Sequence, residues 1–234
     1  MEPSGVEESS RARKYWEENI GSFSGFYDHG SDERLNGPPV VSWLYRRTAL
    51  PIEKAFMARR HDLVCCFIDE TIRSGMVVAD IGCGNGIYTK IMAAKGAHVH
   101  AIDFAEAALD LTRRNLTPKE LGNVSLARVN VLDTAIPKVD VALAVGVLPY
   151  IKSAATFFQH VMPSTKILLF NYLSRANILN VIRQKFDVLN VRGVHCHGDK
   201  EIQNLIQVHE CAVSRRHRIA TGFLIEARKI SAAR

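Results

Sequence analysis

The stretch VVADIGCGNGIY, Val77 to Tyr88, places three glycines on alternate positions, Gly82, Gly84 and Gly86, directly after an apolar run. Glycine enters positive φ without strain and has no Cβ to hold a ligand off the main chain, so this spacing suits a turn that cradles something. Asp103 ends the next apolar run, HVHAID, about twenty residues further on, where a carboxylate can accept from both hydroxyls of a ribose. A dinucleotide pyrophosphate is a poorer match. The sixth position of a G-x-G-x-x-G spacing is Ile87, and Asp80, just ahead of the glycines, repels phosphate while favouring a cation. These residue types point to an adenosine-type nucleoside that carries positive charge and no phosphate.

Such a loop works at the carboxyl end of a sheet, between a strand and a helix. After Gly75, short β-branched or apolar runs alternate with helical stretches, the pattern of βαβ units and a parallel sheet in an α/β fold. The runs predict strands near Met76–Ile81, His98–Ile102, Ser125–Asn130, Val139–Val145 and Lys166–Asn171, with helices near Gly86–Lys95, Ala105–Asn115 and Ala154–Met162. Right-handed crossovers put helices on both faces. Two late alternating runs, His209–Arg216 and Arg218–Arg228, predict an antiparallel pair at one edge. Ahead of the sheet, residues 1–13 read as a disordered tail. Residues 14–73 read as a helical N-terminal lid with an aromatic cluster (Tyr15, Trp16, Phe23, Phe26, Tyr27) and a break at Asn36-Gly37-Pro38-Pro39. Residues 74–234 form the main domain, in which the long connection 172–207 is the natural substrate-selecting insert.

ADIGCGNG followed by AIDF resembles motif I and the next acidic motif of the class I S-adenosylmethionine-dependent methyltransferases, in particular the bacterial small-molecule type, over roughly Val77 to Phe170. The resemblance implies a Rossmann-like, seven-stranded, mostly parallel sheet with one antiparallel strand near the end. It also implies S-adenosyl-L-methionine as cofactor and S-adenosyl-L-homocysteine as product. By position, cofactor contacts fall to Asp80, Gly82, Cys83, Gly84, Asn85, Gly86 and Asp103, with Phe104 beside the adenine. The third strand, LARVNVLD, is similar to the family's adenine-reading stretch, with Asn130 in the acid's place and Val131 after it. An amide oxygen still accepts from an adenine amino group, without a carboxylate's stronger pull. The fourth, VDVALAVGVLPYI, resembles motif IV, which sets Gly146 and Val147 near the transferable methyl group and turns Tyr150 toward the acceptor. An aromatic N-terminal segment in such enzymes closes over the cofactor, a role that falls here to Tyr15 and Tyr27. Plainer readings stand beside these: Asp103 as a helix N-cap, Phe104 and the aromatic cluster as core, Asn130 as a turn residue, Tyr150 as packing.

His195-Cys196-His197, with His209 and Cys211, invites a metal reading, but H-x-H and H-x-C spacings suit a strand better than a compact site, and no metal is expected. A catalytic or substrate-facing histidine and a packed loop both remain open, and His29 beside Asp28 is a further candidate base. The whole is ordinary for a globular protein: 234 residues, 47% hydrophobic and 23% charged. The net charge of +6 is spread in scattered pairs such as Arg46-Arg47 and Arg113-Arg114, which promise no nucleic-acid groove. Five cysteines without C-x-x-C spacing and an acidic, polar opening, MEPSGVEESS, fit a cytoplasmic protein without a secretory leader. The longest apolar run, Val139–Ile151, is too short to span a bilayer.

The reading that follows is an enzyme that moves a methyl group to a small-molecule acceptor. The acceptor atom is a hydroxyl oxygen on a natural product, sugar, lipid or tetrapyrrole, and the catalytic candidates are His195, His197 and Tyr150. No N-P-P-Y or D-P-P-Y motif of the amino-methylating nucleic-acid enzymes is present. An RNA or amine N-methyltransferase, a nicotinamide-dependent oxidoreductase and a non-catalytic nucleoside-binding module are the competing classes.

Overall fold

In the computed structural model, which describes residues 39–185 and 193–230, strand β1 (Val77–Ile81) lies at the centre of a seven-stranded sheet. It pairs in parallel with β2 (His98–Asp103) on one side and β4 (Val139–Ala144) on the other. Beyond β2 lies β3 (Val124–Arg128), and beyond β4 lies β5 (Thr165–Leu173), both parallel. β7 (Gly222–Lys229) then pairs antiparallel with β5, and β6 (Cys211–Ile219) closes the edge against β7. The order β3-β2-β1-β4-β5-β7-β6 thus contains the expected antiparallel strand and edge pair. The chain winds outward from β1 in one direction and, from β4, in the other. The switch point between β1 and β4 is where an open α/β sheet binds ligands.

Side-chain alternation along the strands feeds two cores, one on each face. On β4, Val141 and Leu143 face one way and Ala142 and Ala144 the other. The first face is covered by α1 (Pro39–Thr71) through Val64, Phe67 and Ile68, by Ile72 just past its end, and by α2 (Ile87–Ala94) through Tyr88 and Met92. α3 (Glu106–Asn115) adds Leu109, which packs with Ala101 and Cys83. The short α4 (Pro118–Leu121) is opened by a capping box between Thr117 and Glu120. The other face is covered by α5 (Ala154–Val161) and α7 (Asp199–Val208), whose Phe157, Phe158, Ile202 and Ile206 meet Leu168, Phe170 and Tyr172.

The connection after β5, read from sequence as one insert, holds α6 (Ile178–Lys185) and α7 among its described residues. α1 begins at Pro39, where proline's fixed φ and missing N–H suit the first turn. It therefore starts at the predicted break. Residues 1–38, which carry Tyr15, Tyr27 and His29, lie outside the described residues, so the tail, the start of the predicted lid and its aromatic cluster do too.

Candidate functional site

Three amides fix the glycine loop to the end of β2. Gly82 and Cys83 both donate to the Ile102 carbonyl, at 2.7 and 3.2 Å, and Gly84 donates to Asp103 Oδ2 at 3.1 Å. Gly82, Gly84 and Gly86 all have positive φ, at 68°, 57° and 76°, the conformation that the sequence reading required of them. Two of the three have a packing reason besides. A Cβ on Gly82 would fall 2.6 Å from Val147 Cγ2, and one on Gly86 would fall 2.8 Å from Thr112 Cγ2. The loop after β1 and the loop after β4 are therefore pressed together at the switch point.

Asp103 is 7% exposed and uses both oxygens, Oδ2 on Gly84 N–H and Oδ1 on Ala105 N–H at 3.0 Å. Burial pushes its pKa up, while the amides of Ala105, Gly84 and Phe104 pull it back. An ionised carboxylate has about four acceptor positions, so these bonds hold it in place and leave capacity for two hydroxyls. The plainer N-cap reading fails in detail, because the residue ahead of α3 is Ala105 and no side chain caps that helix. Asp80 is also buried. It accepts from Thr89 Oγ1 at 2.6 Å, and burial raises its pKa to about 6 against that bond. A cation brought beside it would favour the ionised form.

Cys83 contributes only main chain to this site. Its thiol is buried and pushed well above its usual value, and it receives Thr112 Oγ1 at 3.5 Å. Asn85 Oδ1 accepts from Ile87 N–H at 3.3 Å and so helps to start α2. Phe104 is half-buried between Asp103 and Ala105. Asn130 forms a turn: Oδ1 accepts from Leu132 N–H at 3.1 Å and Nδ2 donates to Asp133 at 2.9 Å, while Val131 is buried in the core. An amide oxygen can accept two hydrogen bonds, so a turn bond does not by itself exclude the adenine-edge reading.

Across the switch point, Gly146 (φ 83°) donates to Asn171 Oδ1 at 2.5 Å. Arg60 of α1 reaches this glycine, its Nη1 being 3.8 Å from where a Cβ would stand. The turn Leu148–Tyr150 follows, with Tyr150 half-buried. The 193–198 segment is stitched onto this turn. His195 N–H donates to the Pro149 carbonyl at 2.7 Å, and His197 Nε2 lies 3.3 Å from the Leu148 carbonyl. His197 also bridges to Ser174, and its amide donates to Leu173 at the end of β5. Burial lowers the His197 pKa, opposed by the carbonyls of Leu148 and Ile151. The fold thus brings His195, His197 and Tyr150 together at the carboxyl edge, with His197 buried against main chain and His195 half-exposed. His209 and Cys211 lie elsewhere, at the end of α7 and the start of β6. Among the described residues no group of three or more His, Cys, Asp or Glu side chains could hold a metal.

Several residues that shape the site were not singled out from sequence: Thr89 under Asp80, Thr112 behind Gly86, Asn171 on Gly146, and Asp199. The last receives Ser174 Oγ at 2.7 Å, and Tyr172 Oη and Arg216 Nη2 at 3.1 Å each, pinning the start of α7 to β5 and β6. Their sequence trace is a polar residue on an otherwise inward-facing position, as with fully buried Thr89 and Thr112 in α2 and α3.

The fold, the glycine motif and the match of part of the chain to a methyltransferase family support a class I S-adenosylmethionine-dependent methyltransferase. Residues 79–167 match the family described as "Methyltransferase domain", and the cofactor of this class is S-adenosyl-L-methionine. Among particular relatives, the magnesium-protoporphyrin O-methyltransferase of Rhodobacter capsulatus is 32% identical over 80 residues, 34% of this chain and 36% of that protein. The magnesium protoporphyrin IX methyltransferase of Synechocystis, solved with bound S-adenosylhomocysteine, superposes with a TM-score of 0.72 at 16% identity, covering 95% of this chain and all of that one. The N-methyltransferase NodS of Bradyrhizobium japonicum, also with bound S-adenosylhomocysteine, gives 0.62 at 16% identity over 94% and 99%. The chain spans less than half the length of the curated relatives it matches.

Proposed function

We propose that the chain transfers the methyl group of S-adenosyl-L-methionine to a hydroxyl oxygen of a small-molecule acceptor and releases S-adenosyl-L-homocysteine. The observation that carries the reading is Asp103, a buried carboxylate held by Gly84 and Ala105 amides beside a loop of positive-φ glycines at the sheet's switch point. That arrangement fits a ribose and a positively charged methionyl portion, and Asp80 opposes a pyrophosphate. Bound there, the cofactor supplies a methyl group already activated by its sulfonium charge.

In this reading Asp103 holds the ribose hydroxyls, and the main chain of residues 82–86 lies against the methionyl and ribose portion. Phe104, Asn130 and Val131 meet the adenine, and Gly146 and Val147 flank the methyl group. Tyr150 orients the acceptor. His195, set beside Tyr150 by its amide bond to Pro149, would accept the proton of the acceptor hydroxyl as that oxygen bonds to the methyl carbon and the carbon–sulfonium bond breaks. His197, with its ring on main-chain carbonyls, acts as a positioning residue for that turn. The chain's main work is alignment and exclusion of water, which can supply several kcal/mol of barrier reduction. The lid 14–73 and the insert 172–207 are the walls we assign to the acceptor. Five free cysteines support a reducing, cytoplasmic setting, and among the described residues no helix is long and apolar enough to cross a membrane.

The two solved neighbours differ in what their names say they methylate, so fold likeness does not choose the acceptor atom. A screen of hydroxyl-, carboxylate- and amine-bearing acceptors with methyl-labelled cofactor tests the choice. Label on hydroxyl acceptors with stoichiometric S-adenosylhomocysteine is the expected result. Label confined to amines, or cofactor binding without turnover on any class, would overturn it.

A further inference from the structure

Among its described side chains helix α6 buries the polar Asn180 and leaves its aliphatic residues exposed. Asn180 is fully buried, and its Nδ2 donates to the carbonyls of Ser174 at 2.8 Å and Thr221 at 2.9 Å. Ile178, Leu179, Val181 and Ile182 are 67, 61, 43 and 40% exposed. A helix that serves only its own core has the reverse arrangement, and a contiguous exposed apolar patch marks a contact surface. α6 follows β5, so the patch lies at the carboxyl edge of the sheet, on the rim of the candidate site.

α1 adds a second apolar element at that edge. Arg60 stands at Gly146 on the carboxyl side, and the helix descends from there to Thr71, just ahead of β1. Its N-terminal half therefore continues past the same edge, by roughly 30 Å at the rise of an α-helix. Trp43 on it is 61% exposed with the Arg47 guanidinium 6.0 Å from its ring centre, and Phe56 is 41% exposed.

Both of these elements carry a net positive charge. From Pro39 to Arg60 the sequence holds Arg46, Arg47, Lys54, Arg59 and Arg60 against the single acid Glu53, and α6 holds Arg183 and Lys185 with no acid. Exposed aliphatic and aromatic groups among cations match a lipid surface with anionic headgroups. A nucleic acid would use the cations and leave the aliphatic residues in water, and a neutral bilayer would use the aliphatic residues alone.

We propose that this edge, α6 and the outer half of α1, docks on an anionic lipid surface, which sets the mouth of the candidate site against the bilayer. The surface stands on exposure and charge and does not depend on the methyl-transfer reading. The test is flotation of the full chain with vesicles of phosphatidylcholine alone and of phosphatidylcholine with phosphatidylglycerol. The chain should float with the anionic vesicles and remain behind with the neutral ones. Partition should fall by at least about tenfold in the Ile178→Asp, Leu179→Asp double variant. Lys185→Glu should weaken it less, and both variants should keep the wild-type melting temperature and S-adenosylhomocysteine affinity. No flotation with anionic vesicles, equal flotation with neutral ones, or a double variant that floats like the wild type would overturn the proposal. So would RNA binding without vesicle binding, or a wild-type dimer that the double variant splits, since the face would then belong to a nucleic acid or a second copy.

Discussion

The glycine loop's hydrogen bonds go to partners within about thirty positions in the chain, whereas the 193–198 segment is bonded both to the end of β5 and to the turn after β4, the latter nearly fifty positions away. Gly84 is held by Asp103, nineteen positions on, and Thr112 reaches the Gly84 carbonyl across twenty-eight. His197 meets Leu148 across forty-nine, and Asn171 meets Gly146 across twenty-five. The first half is a strand, a turn and a helix that specify one another through glycine φ angles and one carboxylate. The second exists only once β4, β5 and the connection after β5 have assembled. A cofactor half built locally should tolerate change in the acceptor half, and each half should fail in its own measurement.

The largest separation is expected at His195. His195→Ala should lower turnover by about 10²- to 10⁴-fold, the range for losing a general base, while S-adenosylhomocysteine affinity stays unchanged by calorimetry. His197→Ala should lower turnover less and also lower the melting temperature, because removing one partner of a buried hydrogen bond costs about 1–3 kcal/mol. Normal rates in both variants would return the segment to a purely structural role. In the other half, Asp103→Ala should weaken cofactor binding by more than about tenfold, through lost acceptors for the ribose and a loosened Gly84. Unchanged affinity would remove Asp103 from the site.

Gly86→Ala probes the loop's backbone. At φ 76° an alanine costs about 1–2 kcal/mol, and its Cβ meets Thr112 Cγ2. Adding Thr112→Ser, which deletes that methyl group and keeps the hydroxyl, should recover part of the loss in a chemical melt. No recovery would mean that the strain is all in φ. The smallest effect is a pH dependence at Asp80. Between its ordinary 3.8 and about 6 the folded chain keeps a proton that the unfolded chain has released, so stability falls as pH rises through that window. A cationic ligand prefers the ionised carboxylate, so cofactor affinity should rise over the same window, and Asp80→Asn should flatten both slopes. A slope that survives the substitution would place its origin elsewhere.

The same contrast decides what was legible in the sequence. β-branched and apolar runs located the seven strands to within a few residues, most directly at β1, β4 and β5, which are buried along most of their length and so carry the pattern with them. The glycines were legible because a positive φ restricts residue type, and Asp103 because a carboxylate ending the next strand suits the proposed ribose contact. Asn171 and Thr112 were not, since one polar residue at the end of a strand or inside a helix has many possible partners until the topology chooses one. The inward-turned Asn180 of α6 belongs to the same class: only the carbonyls of Ser174 and Thr221 reveal why the helix leaves its aliphatic side outside.

The central claim is that the turn at Gly82–Gly86 and Asp103 form a berth for a phosphate-free sulfonium nucleoside. Titration calorimetry of the full chain with S-adenosyl-L-methionine, S-adenosyl-L-homocysteine and NAD tests it most directly. Saturable binding of the first two with no heat from NAD is the expected result, and tight NAD binding with none of either sulfur nucleoside would contradict it.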